Sequence, residues 1–359
     1  MTDQDYGVRA GADGARSTDD RPSSWSDEGT FLVAPGVHRI PLPLPDDALK
    51  AVNVYAIEDE DGLTLVDAGW ALQEALDRLV AALAELDHDL GAVRQFLVTH
   101  VHRDHYTLAT VVRRMFGTRV SLGEHERANL RGIREEIQGT GPAPWIERLT
   151  AHGAAGLAER LFGARTGDDH DPAHWVDPDA WLRDGEAVRV GGRTLQVIHT
   201  PGHTRGHVVF VDREAALMFS GDHILPHITP SIGFESAPTR RPLGSYLSSL
   251  ELVLGHADLR VLPAHGPLAP SVHARTRALL EHHERRLDNT ERTLVGDERT
   301  AYEVAERLSW TRREHPFAAL DDFNQMLAVM ETAAHLDVLA DRGRASSRID
   351  RGITVYAHP

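Results

Sequence analysis

The chain has no cysteine among its 359 residues. That excludes a disulfide framework, a thiol nucleophile and a sulfur-ligated metal, while leaving the redox compartment open. Lysine is almost as scarce: Lys50 stands alone, and every other basic residue is Arg. Cations are also outnumbered, with 38 Lys and Arg against 54 Asp and Glu, a formal net charge of −16. An acidic excess of that size argues against a general nucleic-acid or anionic-membrane surface. No apolar run approaches the ~20 residues a membrane span needs. The N-terminus lacks a charged-then-apolar signal pattern, so a cytoplasmic protein is expected, with no membrane partner.

What is present in excess is histidine, 22 residues. Histidine serves as metal ligand, proton shuttle or pH switch, so its placement matters most. Hydrophobic residues make up 41% and charged residues 26%, enough for a sizeable core and against wholesale disorder. At ~150 residues per domain the length allows two to three domains, or one large domain with additions.

Residues 1–28 are rich in Asp, Gly, Ser and Arg and read as a disordered leader. Patterning begins at Phe31. Two apolar runs, Ala51–Ile57 and Leu63–Val66, flank the acidic turn 58–62 and predict a β-hairpin. Leu72, Leu76, Leu79 and Leu83 give Ala71–Leu86 helical spacing. Gln95–Thr99 predicts a strand, Leu108–Phe116 a helix and Arg119–Leu122 another strand. Residues 124–181 turn helical and irregular, with Gly-Thr-Gly-Pro at 139–142. Strands follow at Ala187–Val190, Thr194–Ile198, Val208–Val211 and Leu217–Phe219. Alternating β and α elements predict an α/β layered domain over 29–272, with 124–181 as an insertion. Residues 273–359 read as a small appended domain, with helices at Arg275–Thr293, Ala301–Leu308 and Phe323–Asp341 and a terminal strand at Ile349–Tyr356.

The densest chemistry lies at His100-Val101-His102-Arg103-Asp104-His105, directly after a predicted strand. His100 and His102, two apart in extended chain, project to one side and can hold one metal together. Asp104 and His105, on the turn opening the next helix, can face a second. One backbone segment then positions four ligands, which limits the entropy lost in ordering a site. Isolated residues stand where other strands give way to loops, Asp67 upstream and His203, Asp222 and His265 downstream.

His-x-His-x-Asp-His followed by isolated His, Asp and His resembles the metallo-β-lactamase-fold hydrolase superfamily, over roughly residues 31–272. The resemblance implies an αββα four-layer sandwich with a dinuclear metal centre at one edge. It assigns His100, His102 and His203 to the first metal, Asp104, His105 and His265 to the second, and Asp222 as the bridge. Asp67 matches a position that supports the ligands by hydrogen bonds. Imidazoles and carboxylates without sulfur suit two Zn²⁺, with Fe or Mn as alternatives. Metals ~3.5–4 Å apart can share a hydroxide that attacks an acyl or phosphoryl centre, with the developing oxyanion stabilised in the transition state. Asp104 and Asp222 are expected to be the catalytic carboxylates, Asp104 orienting the nucleophile or passing a proton to the leaving group.

The remaining histidines have plainer readings. His207 is expected to make structural hydrogen bonds, His38 and His199 to be structural, and His282, His283, His315 and His335 to lie on solvated faces. His223 and His227, in Gly-Asp-His-Ile-Leu-Pro-His-Ile-Thr-Pro, are candidates for substrate contact. So is Tyr106, since Tyr106-Thr107 replaces the Gly pair of many relatives. Trp145, Phe162 and Trp175 are placed near the expected mouth, although such aromatics more often belong to a core.

The appended segment resembles the small winged-helix-like domain of one branch of lactamase-like hydrolases. Residues 281–359 hold 11 Arg against 15 Asp and Glu, a net of −4, which argues against a nucleic-acid platform. A cap over the active site or a homodimer contact is favoured. The resulting expectation is a dinuclear metallohydrolase acting on a small ester-type molecule, thioester or lactone. The alternatives are a phosphodiesterase or ribonuclease of the same fold, or from another class an iron-dependent oxidoreductase.

Overall fold

A computed structural model of the chain describes residues 16–17, 25–45, 48–140, 144–162, 171–311 and 313–359. Most of the expected leader lies outside the described residues, as do 141–142 of the Gly-Thr-Gly-Pro turn.

Eight strands form the first sheet in sequence order: β1 (Arg16–Ser17), β2 (Phe31–Ala34), β3 (Val37–Pro43), β4 (Ala51–Asp59), β5 (Gly62–Val66), β6 (Val93–Val98), β7 (Arg119–Gly123) and β8 (Ala180–Leu182). Strands β2 to β5 pair antiparallel and β5 to β8 parallel. The expected hairpin is β4–β5, with Asp59 opposite Gly62. The parallel steps need crossovers, which α1 (Gln73–Ala84) and α2 (Arg103–Phe116) supply. Three helices, α3 (Arg127–Ile137), α4 (Pro144–Ala151) and α5 (Ala155–Phe162), occupy the 124–181 segment.

The second sheet contains β9 (Ala187–Val190), β10 (Arg193–His199), β11 (Val208–Asp212), β12 (Leu217–Gly221) and β13 (Arg260–Pro263). Its strands β12 and β13 are parallel, joined through α6 (Pro242–Leu254). After them come α7 (Val272–Arg292), β14 (Arg299–Thr300), α8 (Ala301–Ala305), β15 (Ser309–Trp310), β16 (His315–Pro316), α9 (Asp322–Asp341), β17 (Ser346–Asp350) and β18 (Ile353–Ala357).

Side-chain alternation sorts these elements into four layers. Tyr55 and Ile57 of β4 meet Val208 and Phe210 of β11 in a core between the two sheets. Val54 and Ala56 face the opposite way, onto α1 and α2. Val209 and Val211 point to the other outside, onto α6, α7 and α9. The order is therefore helix, sheet, sheet, helix, the αββα sandwich. Strands buried on both faces read as continuous apolar runs, which is why their two sides are indistinguishable in sequence.

Three elements differ from expectation. Helix α2 begins at Arg103, not Leu108, because its first turn is the polar Asp104-His105 pair, which interrupts the apolar spacing. Helix α6 was not expected, although Leu243, Tyr246, Leu247, Leu250 and Val253 bury one face while Ser248, Glu251 and Leu252 stay exposed, and Pro242 at its start is a favoured first-turn residue. The expected terminal strand is instead the β17–β18 hairpin. Arg351 and Gly352 both take positive φ, 48° and 84°, turning the chain between Asp350 and Ile353.

His283 and His335, expected on solvated faces, are fully buried where α7 meets α9, with His283 Nδ1 3.2 Å from His335 Nε2. Burial pulls both rings below the usual imidazole range, His335 to about 3, so they pack as a neutral pair. His315 is exposed, as expected.

Candidate metal centre

Every strand that feeds the site ends at the same end of the sandwich. Asp67 follows β5, residues 99–105 follow β6, His203 follows β10, Asp222 follows β12 and His265 follows β13. Parallel pairing of β5 with β6 and of β12 with β13 brings these C-terminal ends side by side. Polar ties between the sheets fix their alignment. Asn53 Nδ2 on β4 donates to Pro263 O (3.0 Å) and Gly266 O (2.9 Å), and Tyr55 Oη to Pro263 O (2.8 Å). Gly221 is required at its corner: φ is +49°, and a Cβ would lie 2.7 Å from both His207 Nε2 and Thr99 Oγ1.

Three ring nitrogens form a tight triangle. His100 Nε2 is 3.0 Å from His102 Nδ1, and His203 Nε2 is 3.2 Å from His100 Nε2 and 3.0 Å from His102 Nδ1. The far nitrogen of each ring fixes which proton it carries. His203 Nδ1–H donates to Ser231 O (2.8 Å) and His102 Nε2–H to Phe234 O (3.1 Å). Thr99 Oγ1 gives its proton to Asp67 Oδ1 (2.9 Å) and so accepts from His100 Nδ1–H (3.1 Å). Three bare lone pairs therefore converge. Tetrahedral Zn²⁺ with N ligands at ~2.0–2.1 Å separates them by about 3.3 Å, and the triangle fits such a cation.

A second group lies beside the first. His265 Nε2 is 3.4 Å from Asp104 Oδ2 and 3.4 Å from Asp222 Oδ1, and His105 Nε2 is 3.5 Å and 3.7 Å from the same atoms. The other oxygen of Asp222, Oδ2, is 3.4 Å from His203 Nε2. Asp222 thus presents one oxygen to each group. His105 Nε2, His265 Nε2 and Asp222 Oδ1 are buried without a hydrogen-bond partner. Buried polar atoms are ordinarily paired, and three such orphans aimed at one space fit a bound cation. Their ring partners behave as metal-ligand supports do: His105 Nδ1–H donates to Asp67 Oδ2 (2.9 Å) and His265 Nδ1–H to Ala51 O (2.8 Å). The described residues thus offer His and Asp groups able to hold divalent metal.

The two groups differ electrically. Burial, reinforced by neighbouring rings, holds His100 well below the usual imidazole range and His102 at about 3. For His105, burial opposes charge, but Asp104, Asp67 and Asp222 outweigh it and raise the ring to about 10. Burial likewise opposes ionisation of Asp222, and the surrounding rings, His265 and His105 foremost, outweigh it and lower that carboxyl. The first group is three neutral donors; the second is an anionic pocket whose positive charge is carried by protons that a metal would displace.

The supports behind the ligands are largely invisible to sequence reading. Glu126, fully buried, accepts from Thr204 Oγ1, from Asn129 Nδ2 (2.7 Å) and from the Val101 backbone N–H. Val101 lies between two candidate ligands and Thr204 follows a third, so one carboxyl clamps both ligand loops. Asn129 Nδ2 also reaches Glu235 Oε2 (2.8 Å), which accepts from Arg205 N (2.7 Å). No local pattern marked Glu126; Asp67 reads as a support through the resemblance, and Asn53, a polar residue inside an apolar strand, carries a readable signal that was missed.

Burial, with the nearby Glu235 charge adding to it, outweighs the hydrogen bonds to Glu126 and raises it to about 7. A carboxyl raised on folding favours the folded state while protonated. Its contribution is complete below the unfolded value near 4.5 and is lost as pH rises through about 7, worth up to about 3 kcal/mol. Glu126→Gln is therefore expected to unfold at higher urea than the parent above pH 7, with the difference vanishing below pH 5. Equal midpoints across that range would show that the carboxylate carries no burial cost.

The expected substrate contacts fare differently from the ligands. Tyr106 is fully buried and its hydroxyl donates to Val176 O (2.6 Å). It faces the core beneath α2, which corrects its placement in the pocket. His223 is also fully buried, edge-on to Tyr246 with ring centroids 5.3 Å apart; the backbone turns it inward after Asp222, so it too is not a pocket residue. His227 is exposed. His207 makes the expected structural bonds, Nδ1–H to Thr200 Oγ1 (2.9 Å) while Nε2 accepts from Asp222 N (3.2 Å). His38 bonds Glu58 and His199 bonds Arg205 O, both away from the metal groups. Trp175 lies in the core beneath α2, whereas Trp145 stacks near Phe234 beside His102.

The chain belongs to the metallo-beta-lactamase superfamily, whose family model matches residues 48–265. Among curated relatives it is 27% identical over 255 residues to the lactamase-like protein ptaB of Pestalotiopsis fici, covering 71% of this chain and 63% of that protein. It is 27% identical over 332 residues to the probable metallo-hydrolase YqjP of Bacillus subtilis, covering 89% and 95%. It is 26% identical over 254 residues to an atrochrysone carboxyl ACP thioesterase of Emericella nidulans, covering 71% and 63%. The chain thus spans under two-thirds of the first and third of these relatives. Among solved structures, a metallo-beta-lactamase family protein from Thermus thermophilus superposes with TM-score 0.72 at 28% identity, covering 91% of this chain and 100% of that one. A beta-lactamase domain protein from Burkholderia ambifaria gives 0.74 at 28%, covering 95% and 96%. Its described His and Asp groups make it a candidate metal-binding member of this superfamily.

Proposed function

We propose that the protein is a cytoplasmic dinuclear zinc hydrolase of small ester-type substrates, thioesters first and lactones second. The observation that carries the two-metal reading is Asp222, with one carboxylate oxygen toward each ligand group. The thioester preference is supported by relatives that bear a thioesterase name. Among the described residues no helix is long and apolar enough to cross a membrane.

In this reading His100, His102 and His203 would hold one metal and Asp104, His105 and His265 the other, with Asp222 offering an oxygen to each. Bound metals would lower the pKa of water to about 7 and polarise the acyl oxygen. Asp104 is among the less buried members of the cluster, its side chain 15% exposed. It is placed to take the proton released from water and pass it to the leaving group. A new C–O bond forms to the acyl carbon as the C–S or C–O bond breaks, giving an acid and a thiol or alcohol. The buried rings and their fixed donors keep the ligand nitrogens aimed without reorganisation during the reaction.

The test is a panel of acyl thioesters, lactones, a phosphodiester and single-stranded RNA, run on metal-analysed protein. Close to two metals per chain are expected, with thioester turnover abolished by a chelator and restored by Zn²⁺. Turnover confined to phosphodiester or RNA would replace the acyl reading. One iron per chain with visible absorbance would point to an oxidoreductase.

A further inference from the structure

An aromatic platform adjoins the more open side of the metal centre. Phe234 lies 5.9 Å from the His102 ring, centroid to centroid. Trp145 of α4 stands 4.9 Å from Phe234 at 33°, and Phe323 of α9 5.4 Å from it at 87°. Three segments distant in sequence thus stack their rings, with Trp145 buried at 8% exposure behind Phe234 and with half-buried Phe234 and exposed Phe323 forming the outer patch. It begins at His102, which with Asp104 is less buried than the other candidate ligands.

The patch is held in place. Phe234 O accepts from His102 and Ser231 O from His203, so the 231–235 segment is bonded to the metal ligands themselves. Arg148 donates to Glu235 O (2.9 Å) and to Gly233 O while lying over the Trp145 ring, 4.8 Å from its centroid. Arg160 grips the Asp322 carboxylate with Nε–Oδ1 at 3.0 Å and Nη2–Oδ1 at 2.9 Å, fixing the first turn of α9 that carries Phe323. Phe323 nevertheless stays 46% exposed, and Ile146, next to Trp145, 39%. A scattered apolar residue in water needs no explanation. A rigid aromatic patch continuous with a reaction centre is how binding sites are built, with apolar walls and few polar groups.

We propose that Phe234 and Phe323, backed by the buried Trp145, form the subsite for an apolar acyl group, so that Phe323 of the C-terminal segment selects for acyl length. This rests on the acyl-hydrolase reading of the metal centre. The occupant is a chain of several methylenes; acetyl would leave the outer ring, Phe323, uncovered.

The experiment titrates full-length, zinc-loaded protein with straight-chain carboxylates from acetate to decanoate by calorimetry. Wild-type affinity is expected to rise roughly three- to fourfold per methylene while the chain still gains ring surface. Phe323→Ala should flatten the rise at its long end, weakening octanoate about tenfold, and Phe323→Leu should restore most of it. Phe116→Ala, removing another exposed ring (49%) on α2, should leave the profile intact. A flat wild-type profile, or the same slope in Phe323→Ala as in wild type, overturns the subsite. Ester and thioester turnover is scored separately. A Phe323-dependent slope without turnover retires the acyl-hydrolase reading alone, and turnover without a slope retires the subsite alone.

Discussion

Asp222→Ala is expected to lower kcat/KM at least ~1,000-fold, a loss of about 4 kcal/mol of transition-state stabilisation, while the fold survives. The carboxylate is the group with oxygens toward both clusters, 3.4 Å from His265 Nε2 through Oδ1 and 3.4 Å from His203 Nε2 through Oδ2. Removing it takes a donor from each side and leaves His105 and His265 facing Asp104 alone. The backbone contact that anchors this corner, Asp222 N–H to His207 Nε2, does not involve the side chain, so an alanine keeps it. Steady-state kinetics, metal content and circular dichroism on the same preparation check all three parts. Activity within tenfold of wild type would sink the bridging assignment.

Asp67 offers a sharper separation of structure from chemistry. Its carboxylate accepts from Thr99 N (2.8 Å), Thr99 Oγ1 (2.9 Å) and His105 Nδ1 (2.9 Å), and its backbone sits at φ +60°. Asp67→Ala puts a Cβ residue without a local hydrogen bond in the left-handed region and strands buried donors at ~1–3 kcal/mol each. A loss of roughly 3–5 kcal/mol in urea unfolding is expected. Asp67→Asn keeps the tolerated backbone conformation, and its carbonyl can still accept from Thr99. Its NH₂, however, faces His105 Nδ1 and forces the proton onto Nε2, the atom that must be bare to hold a metal. Asp67→Asn is therefore expected to cost only ~1 kcal/mol of stability yet weaken metal binding ~100-fold. Equal metal affinity in Asp67→Asn and wild type would show that the ring's tautomer is not set by this contact.

The ligand set was legible because chemistry and spacing coincide in it. Five motifs in order, each at a strand end, leave few other uses for His100, His102, Asp104, His105, His203, Asp222 and His265. The structure draws the seven into overlapping groups, His100 with His102 and His203, His100 with His105 and Asp222, and Asp104 with His105 and His265. What escaped was whatever is held by long-range packing. Tyr106 and His223 adjoin ligands in sequence yet point into the core, since one residue along a chain can reverse the facing of a side chain. Glu126 and Phe234 adjoin no motif and still touch the ligand loops or rings. His283 and His335 looked like solvated helix residues until α7 and α9 were seen face to face.

By itself the sequence determined an α/β layered domain, the sulfur-free character of the site and a His and Asp cluster at strand ends, since residue type and strand-end position are local properties; the αββα sandwich and the full ligand set came from the family resemblance. The tertiary structure alone decided which lone pairs are bare, how the supporting residues are bonded, and which aromatic rings stand beside His102. Those depend on distances between segments far apart along the chain, such as Asn53 on Pro263. Such distances follow from how two sheets and their helices pack, and no local periodicity encodes them.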